Sequence, residues 1–255
     1  MLIGFQTLAR ILRTAPPGAI ERKSASTLWW NASGRCCDPF TLTSVYRPPE
    51  KGDVRRVLGA VDKTYLGGDH PIFLDVDLPC RKCVECLKAK AKLWASRAVT
   101  EIQAAHRTWF ITLTLSSHEH FRVESECRMA DDSNGQLFEQ RSSADQFAKR
   151  CDVVGRDIQK WLKRLRKARP RSLRYLVVAE SHKTGLPHWH MLLHETDPAQ
   201  PVTKREIQSQ WTLGFSQAKL VETTGTAWYV CKYLTKHGAT RVRSSQHYGS
   251  SNLYS

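Results

Sequence analysis

The chain has 255 residues, 41% of them hydrophobic, enough for one substantial domain and a smaller module, and no apolar run reaches the roughly 18 residues that a membrane span needs. Thirty-nine Lys and Arg face 24 Asp and Glu, a net charge of +15 with a pI of about 9.7, so a polyanion such as nucleic acid is the expected partner and a membrane is not. Met1 to Leu12 is apolar but broken by Arg10, with no small-residue cleavage site, so no secretory signal is expected. A cytoplasmic setting follows, in which the eight cysteines favour metal over disulfides.

Residues 1–35 read as an N-terminal extension, disordered or locally helical, with Pro16, Pro17 and Gly18 as a breaker. Residues 36–106 read as a Cys-containing module with a basic helix. Turn formers between 36 and 79 predict short strands and loops, and Val84 to Ala105 has Leu87, Ala91, Trp94, Ala98 and Ile102 at helical spacing. Cys80, Cys83 and Cys86 crowd at the start of that helix. Thiolates so spaced suit a closed structural Zn²⁺ site, with Cys36 or Cys37 as the fourth ligand; three small buried residues at a helix start are the plainer alternative.

Residues 107–240 carry the main domain. Trp109 to Ser116 alternates as a strand, and 124–143 reads as a polar loop. Asp145 to Ala168 is a helix with Val154, Ile158, Trp161, Leu162 and Leu165 on one face. From Lys149 to Arg174 eleven basic residues meet two acidic ones, a net +9. Lys160, Lys163, Arg164 and Lys167 are therefore candidates for phosphate contacts, although a charge run is most often a solvated face. A strand ends at Glu180, a turn follows at Lys183 to Gly185, and a second strand runs from Pro187 to His194. Val202 to Thr212 (helix), Phe215 to Val221 (strand) and Thr223 to His237 (helix) complete the domain, and 241–255 reads as a flexible Ser-rich tail. This order predicts an α+β fold, an antiparallel sheet with flanking helices.

Two constellations carry chemistry. His188 and His190 flank Trp189, so on a strand both imidazoles share one face. The hairpin returns Glu180 beside them. Two imidazoles and a carboxylate can hold one ion with positions left open for substrate oxygens, and mixed N/O ligation fits Mg²⁺ or Mn²⁺ with phosphate, or Zn²⁺. Two satisfied histidines and a solvated Glu are the competing reading. In the last helix Ala227, Val230, Cys231 and Leu234 form a stripe, while Tyr229, Lys232, Tyr233 and Lys236 project together from the opposite side. A tyrosine hydroxyl, with a pKa near ~10, becomes a nucleophile beside an ammonium and a metal-polarised phosphate. Attack on a phosphodiester could leave either end on the enzyme.

Phe110 to Ser116, then Glu180 with His188-Trp189-His190, then the Tyr229/Tyr233 helix follow the three motifs of HUH endonucleases in order. More closely, residues 79–237 resemble the replication-associated proteins of microviruses, small icosahedral single-stranded DNA phages; the segments Pro79 to Cys86 and Gly185 to His190 are similar to segments of that family. The resemblance implies a Rep nuclease fold of ferredoxin- or RRM-like topology and a rolling-circle initiator that nicks single-stranded origin DNA. It also implies a 5′-phosphotyrosine, a 3′-hydroxyl primer, a second tyrosine that rejoins the displaced strand, a host helicase and polymerase as partners, and action in a bacterial cytoplasm. Two other readings fit parts of the pattern: a single-tyrosine transposase or plasmid initiator, and a non-catalytic zinc-containing DNA-binding protein.

Overall fold

A computed structural model of the chain describes residues 20–24, 29–32, 36–46, 72–168, 172–181, 186–235 and 242–250. The chain divides into two compact units, Met1–Cys86 and Leu87–Ser255.

In the first unit, β1 (Ile20–Ser24), β2 (Trp29–Ala32), β3 (Phe40–Tyr46) and β4 (Ile72–Leu78) form a sheet of order β1-β2-β4-β3. β2 runs parallel to β4 and the other two pairs are antiparallel. β1 and β2 stand where the sequence reads as disordered or locally helical. Trp29 and Trp30 suit a strand, but β2 pairs with β4, more than forty residues on, a partner that no local pattern reveals.

Helix α1 (Val84–Ala104) leads into the second unit, followed by β5 (Arg107–Leu115), α2 (Ser117–Asp132), a 3₁₀ turn (Phe138–Gln140) and α3 (Ser143–Ala168). Then come β6 (Leu173–Ser181), β7 (Pro187–Glu195), α4 (Lys204–Ser209), β8 (Gly214–Leu220), α5 (Gly225–Cys231), a 3₁₀ turn (Lys232–Thr235) and β9 (Val242–Ser244). The five strands form an antiparallel sheet of order β8-β5-β7-β6-β9. The expected α+β class and antiparallel sheet with flanking helices are therefore observed.

Side chains alternate across this sheet and divide the core in two. One face, with Trp109, Ile111, Val177 and Met191, packs on Ile158 and Trp161 of α3. The other, with Leu176, Val178 and Leu192, packs on Ala95 and Ala98 of α1 and on Ala227 and Val230 of α5. Each large apolar side chain so buried contributes about 1.5–3 kcal/mol.

Two segments differ from expectation. The polar stretch read as a loop from residue 124 begins inside α2, which extends to Asp132. Ser116 caps the helix, accepting from the Glu119 amide, but only Val123, Cys127 and Asp131 are buried, so its apolar periodicity is faint. Charge pairs hold it to α3: Arg122 to Asp157, Arg150 to Glu124 and Arg156 to Glu126. The tail read as flexible from residue 241 is, over 242–250, docked. β9 pairs with β6, and Tyr248 is buried with its hydroxyl 2.8 Å from His194 Nε2. Gly249, at φ +73°, lies so close to α1 that a Cβ there would sit 2.4 Å from Arg97 Cβ.

Candidate functional site

β6 and β7 pair antiparallel with Glu180 opposite His188 and Val178 opposite His190. Trp189 points into the α3 side of the core, so both imidazoles emerge on the α5 side. Glu180 Oε2 lies 3.0 Å from His188 Nε2 and 2.9 Å from His190 Nε2. Ligands about 2.1 Å from a Mg²⁺ ion are about 3.0 Å apart when cis, so these donors are spaced to hold one small divalent ion. The turn expected at 183–185 lies outside the described residues.

His190 is fixed on several sides. Thr112 Oγ1 is 3.4 Å from its Nδ1, which leaves Nε2 directed at Glu180. Its ring stacks on Tyr233 at 4.5 Å and 14° and lies parallel to Phe110 at 5.6 Å. Burial lowers its pKa, against the opposing pull of the Glu180 carboxylate, which favours the neutral imidazole that ligates metal.

The two tyrosines are brought to this cluster, though not as equals. Tyr229 is 45% exposed and Tyr233 only 5%. Tyr229 meets Tyr233 edge-on at 5.7 Å and His190 at 6.3 Å. Lys232 Nζ sits 3.8 Å from the Tyr229 ring centroid and 5.0 Å from that of Tyr233. Burial first, then hydrogen bonding with Tyr229 and the charge of Glu180, raises the Tyr233 hydroxyl above its ordinary value. The expectation that both tyrosines stand clear of the apolar stripe fails for Tyr233. α5 gives way at Lys232 to a 3₁₀ turn, and about 120° per residue there in place of about 100° swings Tyr233 toward the core beside Val230. Lys236 lies outside the described residues.

The sequence-predicted phosphate contacts are not brought to this cluster. Lys160, Lys163, Arg164 and Lys167 belong to α3, whose apolar side packs on the other face of the sheet. Arg164 donates to the Gln210 carbonyl at 2.9 Å, and Lys160 is 3.5 Å from Asp157. What sequence reasoning missed is the sheet surface beside the triad. Phe215, Gln217 and Lys219 of β8 pair with Thr114, Thr112 and Phe110 of β5, and Thr112 pairs with His190, so all share the triad's face. Phe215 is 67% exposed and Trp228 of α5 51%. The signal was present in the alternation of large Phe215, Gln217 and Lys219 with small Ser216 and Ala218.

A second cluster lies in the first unit. Sulfurs of Cys36, Cys80, Cys83 and Cys86 all fall within 4.8 Å of one another, and Cys37 is exposed. Both this cluster and Glu180 with His188 and His190 are compatible with metal binding.

An antiparallel sheet that offers an ion-sized carboxylate–imidazole cluster beside two tyrosines defines an α+β protein equipped to act on phosphate esters. The sequence profile of the ORF2-type replication-associated protein family matches residues 108–238, half of the chain and all of the cluster, and the chain belongs to that family. It is 31% identical over 171 residues to replication-associated protein VP4 of Bdellovibrio phage phiMH2K, covering 62% of this chain and 48% of the relative. The chain thus spans about half the length of that relative. No solved structure matches the chain. No helix among the described residues is long and apolar enough to cross a membrane.

Proposed function

We propose that this chain initiates rolling-circle replication by nicking single-stranded origin DNA with a tyrosine and keeping the cut end. The observation that carries the reading is the convergence of Glu180, His188 and His190 with the Tyr229/Tyr233 pair and Lys232, in a family of replication-associated proteins. Glu180, His188 and His190 would hold Mg²⁺ or Mn²⁺, which when bound withdraws charge from a non-bridging phosphate oxygen. The tyrosine oxygen bonds to phosphorus, the phosphorus–O3′ bond breaks, the phenolic proton passes to solvent, and the leaving O3′ takes up a proton. The products are a 5′-phosphotyrosine and a free 3′-hydroxyl on which a polymerase extends. Lys232, and Lys236 where the helix continues, stabilise the phenolate before attack and after release. The second tyrosine attacks the regenerated junction, and the first phosphotyrosine is resolved by the freed 3′-hydroxyl, which closes a circle. The incoming strand crosses the open sheet face, its bases stacking on Phe215 and its phosphates near Lys219. Host helicase and polymerase complete the cycle in the host cytoplasm.

The burial of Tyr233 against His190 favours one variant of this chemistry, a single-tyrosine scheme in which Tyr229 alone attacks. Both are tested by incubating the full chain with single-stranded oligonucleotides and Mn²⁺ and resolving products on a denaturing gel. A covalent adduct with a 3′-hydroxyl fragment that a polymerase extends is expected. An adduct that persists when both tyrosines are changed to Phe, or no adduct from folded protein on any origin-containing strand, would overturn the proposal.

A further inference from the structure

We propose that Cys36, Cys80, Cys83 and Cys86 hold one Zn²⁺ in a closed tetrahedral thiolate site that clamps the open end of the β3–β4 pair, separate from the Glu180 cluster and without a part in the chemistry there. The ladder itself brings the ligands together. Phe40 pairs with Leu78 at its end, so the segment before β3, which carries Cys36, lies beside the segment after β4, which carries Cys80. The bend before α1 and the first turn of that helix then supply Cys83 and Cys86.

The spacing suits the ion. Zn–S bonds of about 2.3 Å in a tetrahedron set sulfurs about 3.8 Å apart, and Cys36 Sγ lies 3.8 Å from Cys83 Sγ. This is far beyond the roughly 2.05 Å of a disulfide bond. The backbone is arranged as it would be around thiolates. The Cys80 amide donates to Cys36 Sγ at 3.3 Å, and the amides of Lys82 and Cys83 donate to Cys80 Sγ at 3.4 and 3.2 Å. Arg81 makes this possible by adopting φ +63°, a left-handed conformation that costs a residue with a Cβ about 1–2 kcal/mol. Four sulfur donors leave no position for water or substrate, which marks a structural rather than a catalytic zinc. On binding, the four thiols release their protons to solvent and the ion with four thiolates carries −2, beside the cations of Arg81 and Lys82. Cys37, exposed and outside the set of four, is not a ligand.

The test uses the full chain purified without chelator. One zinc per chain is expected, and it remains in Cys37→Ser and in His190→Ala but is lost in Cys80→Ser and Cys83→Ser. Because a ligand variant can misfold, Co²⁺ exchanged into the unaltered protein gives a second reading: sulfur-to-cobalt charge transfer and the d–d bands of a tetrahedral thiolate site. Zinc retained in Cys80→Ser, zinc lost with His190→Ala, cobalt spectra without sulfur charge transfer, or an intact mass 2 Da low from a disulfide would each overturn the proposal. None of these readings depends on DNA cleavage, so failure of the nicking proposal would leave them intact.

Discussion

At the scale of single residues, the two tyrosines separate by environment although they sit in a repeated Tyr-x-x-Lys pattern. Tyr229 is exposed under the Lys232 ammonium, whereas Tyr233 is buried with its ring on His190. The alternating scheme therefore predicts an order: Tyr229 makes the first cut, and Tyr233 acts once a bound strand has opened its contact with His190. Tyr229→Phe should slow first nicking of an oligonucleotide more than Tyr233→Phe does, while both should fail to join ends into circles. The comparison is a time course of nicked product and of circles. Circle release at the unaltered rate by Tyr233→Phe would place this chain with single-tyrosine enzymes. For the ligands, His190→Ala should abolish adduct formation yet leave DNA affinity within a few fold, because the surfaces that meet phosphate do not include that buried ring. Cleavage by His190→Ala in the presence of a chelator would remove the metal from the scheme.

Elements explain why a charged helix need not be a binding face. α3 carries most of the basic run, but α2 faces part of it with acid: Arg150 meets Glu124, Arg156 meets Glu126, and Lys149 meets the fully buried Asp131, which Arg141 also reaches. Removing one partner of a buried ion pair costs about 3–5 kcal/mol. Asp131→Ala should therefore destabilise the protein by that order in urea unfolding, and a loss below about 1 kcal/mol would mean the cluster is solvated. For DNA, the sheet face and α3 make opposite predictions. If the strand crosses β8, Phe215→Ala and Lys219→Ala weaken single-strand binding severalfold, and Lys219→Ala lowers the salt slope by about 0.7. Lys163→Ala with Lys167→Ala would then change little. The reverse result in a salt titration would make α3 the binding face, as its composition alone suggests.

Across the whole second unit, the sheet separates a large apolar core under α3 from a core under α1 and α5 that contains buried polar groups. Among them, Glu101 is fully buried and held by Arg174 at 2.6 and 2.7 Å. His194 bridges Thr108 and Tyr248, and burial pushes its pKa down to about 4, with Glu101 opposing and Arg174 assisting. In the unfolded chain the same ring titrates near 6.5. The unfolded state thus takes up a proton first as pH falls, so the stability associated with neutral His194 is complete above about 6.5 and is lost progressively down to about 4, by about 3 kcal/mol. The difference in urea-unfolding free energy between pH 7.5 and pH 4.5 should be smaller in His194→Leu than in the unaltered protein. An equal pH dependence in both would assign acid sensitivity to the carboxylates instead.

The α+β class, the strands β5 to β8, the apolar face of α3 and the grouping of Glu180 with His188 and His190 were legible in the sequence, because each rests on short-range periodicity or a tight hairpin. Alternation puts His188 and His190 on one face whatever surrounds the strand, and one turn returns Glu180 to them. Three features were not legible, for reasons that lie far along the chain. α2 is secured by ion pairs to residues 26 to 35 positions away, so its own sequence carries little apolar signal. Tyr233 leaves the exposed side because the helix tightens to 3₁₀ where it meets His190. The basic helix and the site lie on opposite faces because the sheet between them is assembled from strands spread over more than a hundred residues. Local pattern determined which side chains can share a face; only the tertiary structure decided which face meets which, since that depends on packing between segments whose sequences carry no record of one another.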